Sequence, residues 1–296
     1  MKIIFLGTGA MQPTKERNLS SIYFSYEAEN ILFDCGEGTQ RQMKFKELKA
    51  NKLTRIFISH FHADHVLGLG GILRTLEANE YKETLFIYGP AGLQKFYNNL
   101  VNSAYGGKGI KVKLIELKTG KIFDSKKFFI NCSKLDHSVP SYSFSIIEKD
   151  KRKMNLEYLS KFGLTKHPLL GKLQEGKNIT YEGKKITAKK ATKIVKGRKL
   201  TIIADTGYTE NAVKLAKDSD LIISESTFSI NEKEKAKDYK HMTTQDAAKI
   251  AKKSKSKKLI LTHFSQRYKD VSPLKEEAKK VFTNVECAED FMEVDI

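Results

Sequence analysis

The chain has 296 residues, 40% hydrophobic and 30% charged, enough for one large or two small globular domains with a buried core. No apolar run is long enough to span a bilayer. The Met1–Gly7 start lacks the build of a signal peptide, and three scattered cysteines (Cys35, Cys132, Cys287) exclude a disulfide framework and fit a reducing cytoplasm. The net charge of +18 favours a polyanionic partner; 15 basic residues against three acids within 151–200 supply two thirds of that excess.

In chain order, residues 3–6, 22–26 and 31–34 read as strands. Residues 36–48 predict a helix, with Met43, Phe45 and Leu48 on one face. A strand at 55–59 runs through a histidine-rich turn into a helix at 66–78, where Leu69, Ile72, Leu73 and Leu76 recur at helical spacing. A strand at 85–88 is stopped by Gly89-Pro90. A helix at 93–101 and strands at 111–115, 128–131 and 142–147 follow. Residues 150–198 break the rhythm. They hold one short helix at 156–162, then Gly163, Pro168, Gly171, Gly176 and Gly183 among lysines. The segment reads as an inserted, protruding basic arm rather than a second core. Beyond it come strands at 200–204, 221–224, 259–262 and 291–294. Helices at 210–217, 243–253 and 273–282 lie between them, the last with Pro273 in its first turn. The expectation is a single α/β domain over 1–296 with an insertion at 150–198.

Three of the seven histidines fall in Ser59-His60-Phe61-His62-Ala63-Asp64-His65. On an extended strand end, His60 and His62 project the same way, and the turn into a helix re-aims Asp64 and His65. One short segment can therefore serve two metals. Neutral imidazole and carboxylate are ligands that zinc accepts. Further candidates stand where predicted strands end: His137, Asp205 and His263. Ligands at the carboxyl ends of strands converge in a crevice in open α/β sheets. His167 lies in the arm and is read as a surface or phosphate-contacting residue.

The run His60-x-His62-x-Asp64-His65 with His137, Asp205 and His263 resembles the metallo-β-lactamase superfamily, whose fold is a four-layer αββα sandwich. Within it the ribonuclease Z family, short form, is the most similar. The resemblance is carried by Gly7-Thr8-Gly9, Pro13-Thr14-Lys15-Glu16-Arg17-Asn18, Asp34-Cys35-Gly36-Glu37-Gly38-Thr39-Gln40, the turn Gly106-Gly107, and Leu261-Thr262-His263-Phe264-Ser265-x-Arg267-Tyr268. It covers nearly the whole chain. It implies two Zn2+ per subunit: His60, His62, His137 and Asp205 on one, and Asp64, His65, His263 and a bridging Asp205 on the other. It implies Asp64 as general base. His241, within Lys240-His241-Met242-Thr243, would be the proton donor, oriented by Glu225 in Ser224-Glu225-Ser226-Thr227. Met242 and Ser224 depart from the family's pattern. Lys15, Arg17 and Arg267 would contact substrate. The implied activity is zinc-dependent removal of the 3′ trailer from precursor tRNA, leaving a 3′-hydroxyl on the tRNA and a 5′-phosphate on the trailer. The arm would grip the tRNA, in a cytoplasmic homodimer without a membrane partner. Two other readings stay open: a hydrolase of small substrates on the same scaffold, and an RNA-binding protein with a dead metal site.

Overall fold

The computed structural model describes residues 1–106 and 109–296. The turn read at Gly106-Gly107 thus lies partly outside the described residues. Two seven-stranded sheets form the centre. The first runs Glu293–Asp295, Lys2–Gly7, Ser21–Tyr26, Glu29–Phe33, Arg55–Phe57, Leu85–Gly89, Val112–Glu116. The second runs Val285–Cys287, Leu259–Thr262, Leu221–Glu225, Lys199–Ile203, Ser141–Glu148, Phe128–Leu135, Gly120–Asp124. Alternation along the strands explains the layering. In Lys2–Gly7, Ile3 and Phe5 join the cluster between the sheets, with Phe24, Phe33, Phe57, Phe128 and Phe144. Ile4 and Leu6 face the other way, towards Leu69, Ile72 and Leu76 of the Leu69–Ala78 helix. On the far side, Leu259 and Leu261 meet Ala247, Ala248 and Ala251 of the Thr244–Lys253 helix. Both faces of each sheet are thus covered, which gives the four-layer αββα sandwich.

Three local expectations change. The helix read as 66–78 is two, Ala63–Val66 and Leu69–Ala78. The break lies at Gly68, whose N–H donates to the Cys35 carbonyl (2.9 Å) and where a Cβ would sit 2.0 Å from the Gly36 oxygen. Backbone contact without a side chain seats the histidine-rich turn on the 34–36 loop. The helix read as 36–48 shortens to Thr39–Phe45, because Gly38 precedes it at φ 80. The Gly120–Asp124 edge strand and the Lys233–Asp238 helix have no counterpart among the elements expected from sequence.

The inserted segment is more ordered than its composition suggests. Lys151–Met154 pairs with Thr192–Val195, and Ile179–Tyr181 with Lys184–Ile186 through Glu182 and Gly183, both at positive φ. Leu159, Leu164, Leu173, Ile179, Ile186, Ala188 and Ala191 pack into a separate buried cluster. The expectation that the segment holds no second core is corrected: its aliphatic residues close on each other beneath the lysines. At its base, Glu148 accepts from Arg198 Nε (2.8 Å), from Lys151 and from the Tyr26 hydroxyl.

Candidate metal centre

Each candidate ligand stands just beyond a strand's carboxyl end. Arg55–Phe57 leads to the His60–His65 run, Phe128–Leu135 to His137, Lys199–Ile203 to Asp205, and Leu259–Thr262 to His263. His60 Nε2 and His62 Nδ1 lie 3.1 Å apart, and His137 Nε2 is 3.2 Å from His62 Nδ1. Beside this group, His65 Nε2 and His263 Nε2 are 3.2 Å apart, with Asp64 Oδ2 at 3.5 and 3.3 Å from them. Asp205 Oδ2 lies between the groups, 3.6 Å from His60 Nε2 and 3.3 Å from the Nε2 atoms of both His65 and His263. All seven metal residues expected from sequence are brought together. The pair expected to be catalytic stands beside them, with His241 Nδ1 3.1 Å from Glu225 Oε1 and 3.9 Å from Asp205 Oδ2.

An outer ring fixes the imidazoles. Ser59 Oγ is 2.9 Å from His60 Nδ1, Asp34 Oδ2 is 2.8 Å from His65 Nδ1, and the Lys240 carbonyl is 3.0 Å from His137 Nδ1. Thr227 Oγ1 is 2.8 Å from His263 Nδ1. Where Nδ1 donates outward, Nε2 presents a lone pair inward. Lone pairs about 3 Å apart repel unless a cation lies among them. Asp205 Oδ1 is buried with no hydrogen-bond partner among the described residues, a costly state for a carboxylate oxygen unless a ligand satisfies it. Imidazoles, carboxylates and an orphaned oxygen at these spacings fit bound divalent metal.

The electrostatics agree. Burial opposes the charged form of His65, but Asp205, Asp34 and Asp64 outweigh it and raise it well above the ordinary imidazole value, the same negative field that would draw a metal cation to this point. Burial would raise Asp64, yet His65 and His263 drive it well below the usual carboxylate range. Burial likewise penalises protonated His241, but the Glu225 carboxylate prevails and carries it to about 9. His60, by contrast, is pushed well down by burial and by neighbouring His65.

The remaining expectations are placed as follows. Lys15 is exposed at the site's N-terminal loop. Arg17 turns inward: its guanidinium donates to Thr8 Oγ1 (2.6 Å) and the Ala288 carbonyl (2.8 Å) and lies over Phe264. Arg267 pairs with Glu232 (2.9 Å) and lies over Phe228, whose ring is 6.0 Å from that of His241. Met242 is buried in the apolar cluster under the Thr244–Lys253 helix, and its N–H donates to Glu225 Oε1 (3.0 Å). Met242 thus serves Glu225 through its backbone amide while its side chain fills the apolar cluster. His167 is exposed in the arm, its ring 5.3 Å from that of Tyr181.

Asp34, Ser59, Thr227 and Met11 have functional contacts that sequence reasoning missed. Asp34 stands at φ 59, which turns its carboxylate back to the Ser59 N–H and hydroxyl (2.7 and 2.8 Å) as well as to His65. Met11, also left-handed, donates its N–H to Asp64 Oδ2 (2.8 Å). Asp34 and Thr227 fall inside the family-like motifs, which is the signal that could have found them. Backbone reach such as that of Met11 leaves none.

Residues 1–158 match the family model described as Anti-Pycsar protein Apyc1. That match spans the His60–His65 run and His137 but stops before Asp205, Glu225, His241 and His263. Over full length the similarity is to other proteins. Ribonuclease Z of Anoxybacillus flavithermus is 39% identical across 98% of this chain and 96% of its own. Ribonuclease Z of Enterococcus faecalis is 38% identical across 100% and 97%. The crystal structure of human tRNase Z, short form, superposes with a TM-score of 0.72 at 31% identity, covering 100% of this chain and 99% of the other.

Proposed function

The chain belongs to the ribonuclease Z family, and by residues 1–158 to the Anti-Pycsar protein Apyc1 family, and from that premise we propose that it removes the 3′ trailer of precursor tRNA using two zinc ions per subunit. It is a metallo-β-lactamase-fold hydrolase and an endoribonuclease of tRNA 3′ processing. One observation carries the metal reading: seven side chains from four separate stretches present their donor atoms to two adjoining points.

His60, His62, His137 and Asp205 would hold one ion, and Asp64, His65, His263 and Asp205 the other. Such a pair, when bound, supplies Lewis-acid polarisation of a phosphate and a water of lowered pKa. The chain's own groups do the rest. Asp64, steadied by the Met11 amide, takes the proton of the attacking water. Attack at phosphorus breaks its bond to the tRNA 3′ oxygen. His241, held through Nδ1 by Glu225, gives its Nε2 proton to that oxygen, so the tRNA leaves with a 3′-hydroxyl and the trailer with a 5′-phosphate. Lys15 and Arg267 contact phosphates beside the cut. Arg17, tied inward, holds the loop that presents Lys15.

Residues 150–198 form the tRNA-gripping arm, and the enzyme is a cytoplasmic homodimer in which one subunit's arm serves the other's site. Family likeness and the arm's charge support this reading; no described helix is long and apolar enough to cross a membrane. The test is cleavage of a 3′-extended tRNA transcript with zinc, with chelator, and by Asp64→Ala. Cutting is expected only in the first case, and cutting that persists with chelator or in Asp64→Ala refutes the metal mechanism.

A further inference from the structure

We propose that Thr227 is a positioning residue that couples the proton-donor pair to the metal centre, fixing the tautomer of His263 on behalf of Glu225. The inference rests on the metal reading above. Glu225 is buried and its two oxygens are fully engaged. Oε1 accepts from the Thr206 N–H (3.1 Å), the Met242 N–H (3.0 Å) and His241 Nδ1 (3.1 Å). Oε2 accepts from the Thr227 N–H (3.0 Å) and the Thr227 hydroxyl (2.8 Å).

An ionised carboxylate can only accept. The hydroxyl hydrogen of Thr227 is therefore committed to Glu225, and only lone pairs of Oγ1 face the other way. They face two imidazoles, His263 Nδ1 at 2.8 Å and His241 Nδ1 at 3.2 Å. Each ring bonds there only by donating. His263 must then carry a proton on Nδ1, which leaves Nε2, the atom directed at Asp64 and Asp205, as the nitrogen available to a metal. His241 shares its Nδ1 proton between Glu225 and Thr227, which leaves Nε2 as the atom that can transfer one. A single carboxylate thus sets both rings, one directly and one through a hydroxyl. The rings of His60, His65 and His137 are held by different partners: Ser59, Asp34 and the Lys240 carbonyl.

Thr227→Val keeps the shape and removes the hydroxyl. His263 is then free to adopt the Nε2–H tautomer, which cannot bind metal. Outer partners of this kind are worth roughly 10–100-fold in metal affinity. The experiment loads purified protein with zinc and titrates it against a chromogenic chelator, which reads the two ions separately. In Thr227→Val, one ion is expected to bind about 10–100-fold more weakly and the other as in wild type. Thr227→Ser should restore both, because it restores the hydroxyl. Thr227→Ala serves in place of valine if valine prevents folding. Wild-type affinity for both ions in the hydroxyl-free variant overturns the proposal, as does equal weakening of both, or failure of serine to rescue. Wild-type protein that retains no zinc would instead sink the metal reading itself, so the two failures are distinct.

Discussion

His241 is held by its Nδ1, which leaves the opposite nitrogen for proton transfer, and its proposed role can be tested by the need for a proton. The tRNA 3′ oxygen is a poor leaving group and requires one; p-nitrophenolate does not. His241→Ala should therefore lower kcat on a 3′-extended tRNA by about 10²–10⁴-fold, the usual worth of general acid catalysis, and lower bis(p-nitrophenyl) phosphate hydrolysis far less. Single-turnover rates on both substrates check this, and equal losses would assign His241 to the metal site instead. At this scale the side chains that converge are highly legible in the sequence. Histidine and aspartate are costly to bury unpaired, so their clustering at predicted strand ends points to a bound cation. The groups that orient them are poorly legible. Thr227 and Ser59 act through single hydroxyls, and Met11 through a main-chain amide, and side-chain chemistry announces neither. Arg17 shows the converse. Its guanidinium reads as a substrate contact in the sequence, but the charge is engaged by Thr8, Ala288 and Phe264 within the fold.

Among the elements, the arm departs most from expectation. Beyond the helix read at 156–162, glycines and lysines at short intervals conceal two further short helices and two strand pairs, because each element is only three to six residues long. Periodicity needs a longer window to register. The central strands are legible for the opposite reason: runs such as Leu259–Thr262 are continuously apolar and buried on both faces. The separate cluster around Leu159, Leu173 and Ile186 means that the arm keeps its shape largely by itself. Its removal should then leave the body intact. A variant lacking 152–196, closed by a short Gly-Ser linker between the Ser141–Glu148 and Lys199–Ile203 strands, which are already paired, is expected to hydrolyse bis(p-nitrophenyl) phosphate at near wild-type rate. It should also lose precursor-tRNA cleavage by orders of magnitude. Parallel loss of both activities would show that the segment supports the fold rather than the substrate.

Across the whole molecule, charge is distributed to match a large polyanion. Two thirds of the +18 lies in one sixth of the chain, in the segment inserted between His137 and Asp205 of the metal-ready centre. Binding through phosphates releases counterions, so the logarithm of affinity falls linearly with that of salt, by roughly 0.7–0.9 per contact. KM for precursor tRNA should rise steeply between 50 and 200 mM salt, on the order of 10³-fold if six phosphates are held. The arm-deleted variant should show a much shallower slope in direct binding, and the small phosphodiester almost none. A salt response unchanged by deletion would move the grip elsewhere. The remaining question is whose active site an arm serves, and subunit mixing answers it. Arm-deleted chains carry an intact centre; Asp64→Ala chains carry an intact arm. Neither alone should cut precursor tRNA. If an arm reaches across a dimer, equilibrated mixtures regain activity, because each heterodimer pairs one working centre with the opposite subunit's arm. With equal amounts and random exchange, half the dimers are mixed and each holds one productive site, so about a quarter of the wild-type sites should return. If each arm serves its own subunit, no chain in the mixture has both parts and activity stays absent, even when sedimentation shows that heterodimers have formed.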